Sequence, residues 1–212
     1  MSGRKIYLLL VVLLEWFALV AQLILMLRSG VASTGELLAR FFTYFTILTN
    51  ILIGVYVTIL FLADRNTSTG FSSPSAQTAF TLYITVVGLI YNLVLRQLWD
   101  PSGLQAVLDE LLHSVIPVMI LIYWVKWVDT GSLRSKNIPP WLVYPAVYAA
   151  VILIRGYYSG WYPYPFMDVN KLGGWVVARN CFGIVGVFLL FSFLFVLLGR
   201  RKNRRAGAGW PI

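Results

Sequence analysis

The chain has 212 residues, of which 59% are hydrophobic and only 12% are charged. Soluble domains carry about 25% charged residues, so this chain has roughly half the usual share. In water it would expose larger apolar patches than a soluble monomer tolerates. The length fits six membrane-spanning helices of about 20 residues and leaves no room for a separate soluble domain. The composition therefore excludes a soluble globular protein and predicts an all-α integral membrane bundle.

Six apolar segments follow one another along the chain. The first covers residues 6–27, is preceded by Arg4 and Lys5, and is longer than the apolar core of a signal peptide, so we expect it to be retained as a span. The other five are predicted at residues 39–63, 78–95, 107–128, 141–158 and 175–199, with a polar linker over 64–77. These segments predict a single six-helix transmembrane domain over residues 1–199 and a basic tail over 200–212.

Lysine and arginine residues predict the orientation of the spans. If the N-terminus lies inside, eleven of the 17 basic residues fall on the inner side and six on the outer side. The positive-inside rule then places both termini, including the tail, in the cytoplasm. The tail can also attract anionic lipid headgroups.

Cysteine and histidine counts limit the metal and cofactor chemistry. The single Cys181 excludes an internal disulfide and any cysteine-based metal site. With one histidine in the chain, haem held by two histidines is excluded and no zinc site is predicted. Basic residues sit mostly at span ends, which argues against nucleic-acid binding. We predict no cofactor, no metal and no nucleic-acid partner; membrane lipids are the expected partners, and the oligomeric state is left open.

Polar residues inside the second and third spans form two helical stripes. Thr43, Thr46 and Asn50 are spaced i, i+3, i+7, which places them on one helix face. A threonine in such a helix commonly bonds its own i−4 carbonyl, whereas the asparagine amide has two donors to satisfy. In the third span, Asn92 and Arg96 are four residues apart. Arg96 either faces the bundle or extends to the outer headgroups.

The fourth span contains the only histidine, His113. Asp109 and Glu110 precede it by four and three residues, so either carboxylate can reach the histidine side of the helix. Pro117 follows by four residues and has no N–H, which deprives the His113 carbonyl of its helical partner. Histidine is the side chain best suited to act as a base near neutral pH. A chemical role and a packing role both remain open for His113.

The remaining spans add further ionisable and polar groups. Glu15 lies near the middle of the first span and must be neutral, paired or in a wet cavity. With the termini inside, polar residues from several spans fall in the outer half of the bilayer: Thr43, Asn92, Arg96, Asp109, His113, Arg155, Arg179 and Asn180. We expect one polar site there, covered by the proline- and tyrosine-rich loop at residues 156–168, which includes Tyr162.

Three segments resemble a known family. RFFT at residues 40–43, HSVIP at 113–117 and WYPYPF at 161–166 are similar to segments of the androgen-induced family of six-helix membrane proteins and its bacterial relatives. The resemblance covers the second to sixth spans in the same order. The loop after the second span differs from the animal members.

The resemblance implies an activity and its residues. Animal members hydrolyse fatty acid esters of hydroxy fatty acids with an intramembrane threonine nucleophile and a histidine partner, which correspond here to Thr43 and His113. We assign Asp109 as the candidate to orient the ring and Asn50, Asn92 or Arg96 as candidate oxyanion donors. Thr46, Arg155, Tyr162 and Asn180 are candidate substrate-pocket residues. The expected location is a bacterial cytoplasmic membrane.

Two alternatives stay open at the level of the sequence. The first is a non-catalytic lipid- or ion-binding protein, such as a transporter, in which His113 relays protons. The second is a scaffold in which the polar residues only hold helices together.

Overall fold

The computed structural model describes residues 1–63, 70–98 and 100–207, and every regular element in these residues is helical. Six helices are long and apolar enough to cross a membrane, which confirms the predicted fold class and span count. Large apolar side chains on these helices remain exposed: Leu13 and Phe17 in the first span are 59% and 52% accessible. A lipid environment accepts such surfaces, whereas water does not. Internal contacts divide the chain into two units, residues 1–128 and 129–212.

The first unit contains four of the six spans. Its helices are α1 (Gly3–Arg28), α2 (Thr34–Phe41), α3 (Phe45–Leu62), α4 (Pro74–Ile90), α5 (Gly103–Glu110) and α6 (Ile116–Trp127). The third span continues beyond α4 through a π-helical turn at Tyr91–Leu95 and a 3₁₀ turn at Arg96–Leu98. A second π-helical turn at Leu111–Val115 joins α5 to α6 within the fourth span. The main packing partners are α1 with α3 and α4 with α6.

One end of the first unit is held by side-chain hydrogen bonds. The Arg4 guanidinium, near the start of α1, donates to Tyr123 Oη at 2.7 and 3.0 Å near the end of α6. Trp124 Nε1 donates to Thr78 Oγ1 at 2.9 Å at the start of α4. These hydrogen bonds connect α1 with α6 and α6 with α4, so this end of the unit has a structural role.

The second span differs from its prediction. We expected one helix over residues 39–63, but α2 ends at Phe41 and α3 begins only at Phe45, with Tyr44 in an extended conformation. The Thr43 hydroxyl lies 2.7 Å from the carbonyl oxygens of both Ala39 and Arg40, and it donates its single proton to this pair at the end of α2. Threonine and aromatic residues have weak helix propensity, which favours a break in this segment. Thr43 therefore lies in a turn between helices and not on a continuous helical stripe.

The second unit contains the last two spans, α7 (Ile138–Ser159) and α9 (Gly174–Gly207), with the short helix α8 (Val169–Leu172) between them. Gly160 ends α7 in the left-handed conformation, with φ of 69°, which glycine adopts without strain. The predicted sixth span ends at residue 199, but α9 continues into the basic tail as far as Gly207. Arginine and lysine are good helix formers and suit a helix C-terminus, which accounts for the longer helix. Residues 208–212 of the predicted tail and 64–69 of the predicted linker lie outside the described residues.

Candidate functional site

The two π-helical turns of the first unit pack against each other, and they carry Asn92 and His113. A π turn inserts one extra residue into a helix and redirects the side chains around it, and such turns occur frequently at functional sites. This region lies at the end of the unit opposite the Arg4–Tyr123 bonds, where the third span ends and the fourth begins.

The environment of His113 determines which ring nitrogen carries the proton. His113 Nδ1 lies 2.9 Å from the main-chain carbonyl oxygen of Asp109. A carbonyl only accepts hydrogen bonds, so Nδ1 is the protonated nitrogen in the neutral ring and Nε2 carries the lone pair. The ring also stacks on Tyr91, with centroids 3.9 Å apart and planes inclined by 15°. These two contacts fix both the tautomer and the plane of the imidazole.

Asp109 contacts the histidine through its backbone. We expected it to orient the ring, and its main-chain carbonyl holds Nδ1. Its carboxylate accepts a hydrogen bond from Gln105 Nε2 at 3.0 Å, and the Tyr91 hydroxyl lies 3.5 Å away. Gln105 in turn exchanges hydrogen bonds with Gln22 of α1 at 2.9 and 3.3 Å. The buried carboxylate is therefore tied to α1, and the ring is positioned by main chain and by Tyr91.

Asn92 supplies the hydrogen bond that Pro117 removes from the fourth span. Pro117 lacks an N–H for the His113 carbonyl, and Asn92 Nδ2 donates to that carbonyl at 3.2 Å. The same amide donates to the Gly88 carbonyl at 2.8 Å. A Cβ on Gly88 would lie 2.9 Å from the His113 carbonyl oxygen, so only glycine permits this approach. The proline, the asparagine and the glycine together hold the two spans at the π turns.

Arg96 turns toward the fourth span. It forms an ion pair with Glu110 and donates to Ser114 Oγ at 3.3 Å, both from Nη2. Its guanidinium also lies 5.5 Å from the centroid of the Tyr91 ring. Arg96 and Glu110 each remain nearly half exposed, at 44% and 48% of the side chain. The Arg96 guanidinium therefore lies next to the Tyr91 ring on which His113 stacks.

Thr43, Thr46 and Asn50 occupy the turn before α3 and its first two helical turns. All three are buried. Asn50 Nδ2 donates to the Thr46 carbonyl at 2.8 Å and to the Leu112 carbonyl, next to His113, at 3.4 Å. The Thr43 hydroxyl is engaged with main-chain carbonyls in this conformation, as described above. Asn50 therefore connects α3 to the π turn at Leu111–Val115, which carries His113.

Tyr44 follows the proposed nucleophile directly. Burial raises the pKa of its phenol above the ordinary value, and the nearby Arg40 guanidinium opposes this shift. Like an ordinary tyrosine, the phenol keeps its proton at neutral pH.

The other predicted pocket residues belong to the second unit. Arg155 Nη1 donates to Ser159 Oγ at 3.3 Å, and its guanidinium lies 5.3 Å from the Trp161 ring centroid. The Tyr162 ring packs directly on Gly156, where any side chain would collide with it. Asn180 Nδ2 donates to the Phe166 carbonyl at 2.9 Å. Their role in a pocket, and that of the loop as a cover, stay predictions.

Two residues around His113 and Asp109 were not predicted from the sequence, namely Gln105 and Tyr91. Gln105 precedes Asp109 by four residues, the same spacing that separates Asp109 from His113. The sequence therefore indicated that the Gln105 and Asp109 side chains could meet on one helix face. Tyr91 had no such signal, since its stacking on His113 depends on how the third and fourth spans pack. Within the residues that the structure describes, no group of three or more His, Cys, Asp or Glu side chains is placed to hold a metal ion.

The helices define the chain as a multi-pass α-helical membrane protein. Comparisons with protein-family models, curated proteins and solved structures found no match. The resemblance to the androgen-induced family therefore stays a prediction that rests on the three segments quoted above.

Proposed function

We propose that the protein is an intramembrane hydrolase of lipid esters, with Thr43 as nucleophile and His113 as general base. The observation that carries the proposal is the arrangement of His113. Its Nδ1 is committed to the Asp109 carbonyl, so Nε2 is the basic nitrogen of a ring fixed on Tyr91. A base held in one tautomer and one plane is what proton transfer from a hydroxyl requires.

The reaction proceeds through an acyl-threonine. Thr43 Oγ1 forms a bond to the ester carbonyl carbon while its proton passes to His113 Nε2. The bond to the leaving alcohol then breaks, and His113 returns the proton to the alcohol oxygen. Water then adds to the carbonyl carbon of the acyl-threonine while His113 Nε2 accepts one of its protons. The bond between this carbon and Thr43 Oγ1 breaks, the proton returns to Oγ1, and the fatty acid is released. The Thr43 hydroxyl must first leave the carbonyls of Ala39 and Arg40, to which it bonds in the present conformation.

Arg96 is the best-supported oxyanion donor of the three candidates. The amide hydrogens of Asn50 and Asn92 are directed to main-chain carbonyls. Within the described part of the chain, Arg96 donates its hydrogen bonds from Nη2, so Nε and Nη1 can donate to a developing oxyanion. One such donor contributes about 3 kcal/mol to transition-state stabilisation.

The substrate class follows from the membrane setting and the resemblance. Apolar span surfaces face lipid, so an ester with long acyl chains can reach the protein from the bilayer. Fatty acid esters of hydroxy fatty acids, or similar lipids, are the substrates that the resemblance implies. The proposed setting is a bacterial cytoplasmic membrane, with both termini in the cytoplasm.

Labelling with a fluorophosphonate tests the nucleophile. We expect the purified full-length protein to form a covalent adduct at Thr43, located by mass spectrometry of the labelled peptide, and Thr43→Ala to lose it. Thr85→Ala is the matched control, because Thr85 also bonds its i−4 carbonyl, at 2.6 Å, but lies in α4 away from the α2–α3 turn. Equal labelling of Thr43→Ala and the wild type would refute the threonine mechanism.

A transport assay distinguishes the proposed hydrolase from the transporter alternative. In proteoliposomes, a carrier with His113 as proton relay would move its solute in Thr43→Ala as well as in the wild type. Ester hydrolysis that disappears in Thr43→Ala, with no solute movement, supports the hydrolase.

A further inference from the structure

Glu15 is a buried carboxyl that the proposed reaction does not use. It lies halfway along the 26 residues of α1 and has no accessible surface. Neither carboxyl oxygen has a hydrogen-bond partner among the described residues. A Cβ on Gly54 of α3 would lie 3.2 Å from Glu15 Cγ, a tight contact, so the Glu15 side chain packs directly against this glycine. The carboxyl therefore sits inside the α1–α3 interface, near the middle of the span.

Among the residues that the structure describes, no charged group pairs with Glu15. Helix α3 contains no charged residue, and Tyr56 is its one titratable side chain near Gly54, with its hydroxyl bonded to Gln77. The charged or titratable residues on the other elements packed against α1 are Glu36, Arg40, Asp109, Glu110, His113, Tyr123 and Lys126. None of these forms an ion pair with Glu15.

Helix α3 carries a further acceptor without a donor among the described residues. Asn50 Oδ1 is buried and has no hydrogen-bond partner among the described residues. Asn50 precedes Gly54 by four residues, one helical turn along the same face of α3. Buried polar atoms are almost always paired in native proteins, and a buried anion in a membrane costs several kcal/mol. The two Glu15 oxygens and Asn50 Oδ1 are thus three buried acceptors for which the described residues provide no donor.

We propose that Glu15 is a proton-binding site within the membrane, at the α1–α3 interface, with Asn50 one helical turn of α3 away from the glycine that Glu15 contacts. In the packing described here the carboxyl carries the proton. Release of the proton to water leaves a carboxylate that this interface does not stabilise. Proton release therefore requires water to reach the interface, and the protonation state of Glu15 is coupled to the contact between α1 and α3. Glu15 itself takes no part in the proposed hydrolysis at Thr43 and His113.

Infrared spectroscopy of the full-length protein in lipid bilayers tests the site. We expect a C=O stretching band of a protonated carboxyl at neutral pH that shifts on exchange into D₂O, is lost in Glu15→Gln, and decreases reversibly as the pH is raised. The amide of Glu15→Gln has the size of the neutral carboxyl, so this variant should fold. Glu36→Gln is the matched control and should keep the band, since Glu36 is paired with Arg40 at 2.8 Å outside the spans.

Other outcomes would overturn the proposal. Absence of the band at neutral pH would show that Glu15 is ionised, and a band that persists at every pH at which the protein stays folded would show a fixed structural carboxyl. Loss of the band on adding Na⁺ at constant pH, but not on adding choline, would identify a sodium site instead. Asn50→Leu should shift the band, whereas an unchanged band would remove Asn50 from the site.

Discussion

Replacing His113 with alanine is expected to reduce kcat for a long-chain ester by about 10²–10⁴-fold, the usual contribution of a positioned general base. The Michaelis constant should change little, because the imidazole acts on the proton of the nucleophile and not on the acyl chain. The measurement is turnover of a fatty acid ester by purified protein in micelles or nanodiscs.

A second His113 variant separates catalysis from packing. His113→Phe keeps a ring to stack on Tyr91 but removes the nitrogens, so it should preserve most of the stability while losing activity as completely as His113→Ala. If His113 only holds helices together, phenylalanine should restore whatever alanine disturbs. Full activity in His113→Phe would exclude the histidine as base.

The spans could be predicted from the sequence because they depend on composition over windows of about 20 residues. A long apolar run has to cross or avoid the membrane whatever its neighbours are, so all six spans were found. The helix ends depend on single residues and were predicted less well. Thr43 satisfies the end of α2 with its own hydroxyl, which a stripe of i, i+3, i+7 positions does not reveal.

The candidate site likewise has features that the sequence predicts and features that depend on how the spans pack. His113 and Pro117 could be recognised from their spacing, and the loss of the His113 carbonyl's partner follows from proline chemistry alone. That Asn92 provides the replacement depends on the contact between two spans. The two π turns and the role of the Asp109 carbonyl have the same origin. Such features arise from tertiary packing, which local propensity does not contain.

Substitution of Gly88 is expected to disturb both the fold and the site. The Cβ of alanine would lie 2.9 Å from the His113 carbonyl oxygen and 3.2 Å from Pro117 Cβ, and both neighbours belong to a packed span. Gly88→Ala should therefore lower the free energy of unfolding by about 1–3 kcal/mol, the usual cost of overpacking. Gly88→Leu should yield little folded protein. Thermal unfolding in detergent, followed by tryptophan fluorescence, measures the first effect, and size-exclusion chromatography measures the second.

Gly183→Ala provides the control, because Gly183 also lies in a membrane-spanning helix but a Cβ there meets nothing within 4 Å. Alanine favours a helix over glycine by about 1 kcal/mol, so this variant should be as stable as the wild type or slightly more stable. The two glycine variants thus have opposite expected signs, although the chemical change is the same. If Gly88→Ala were as stable as Gly183→Ala, the spans would not approach closely at the π turns. The hydrogen bond from Asn92 to the His113 carbonyl would then no longer explain how His113 is positioned, since that bond depends on the same approach.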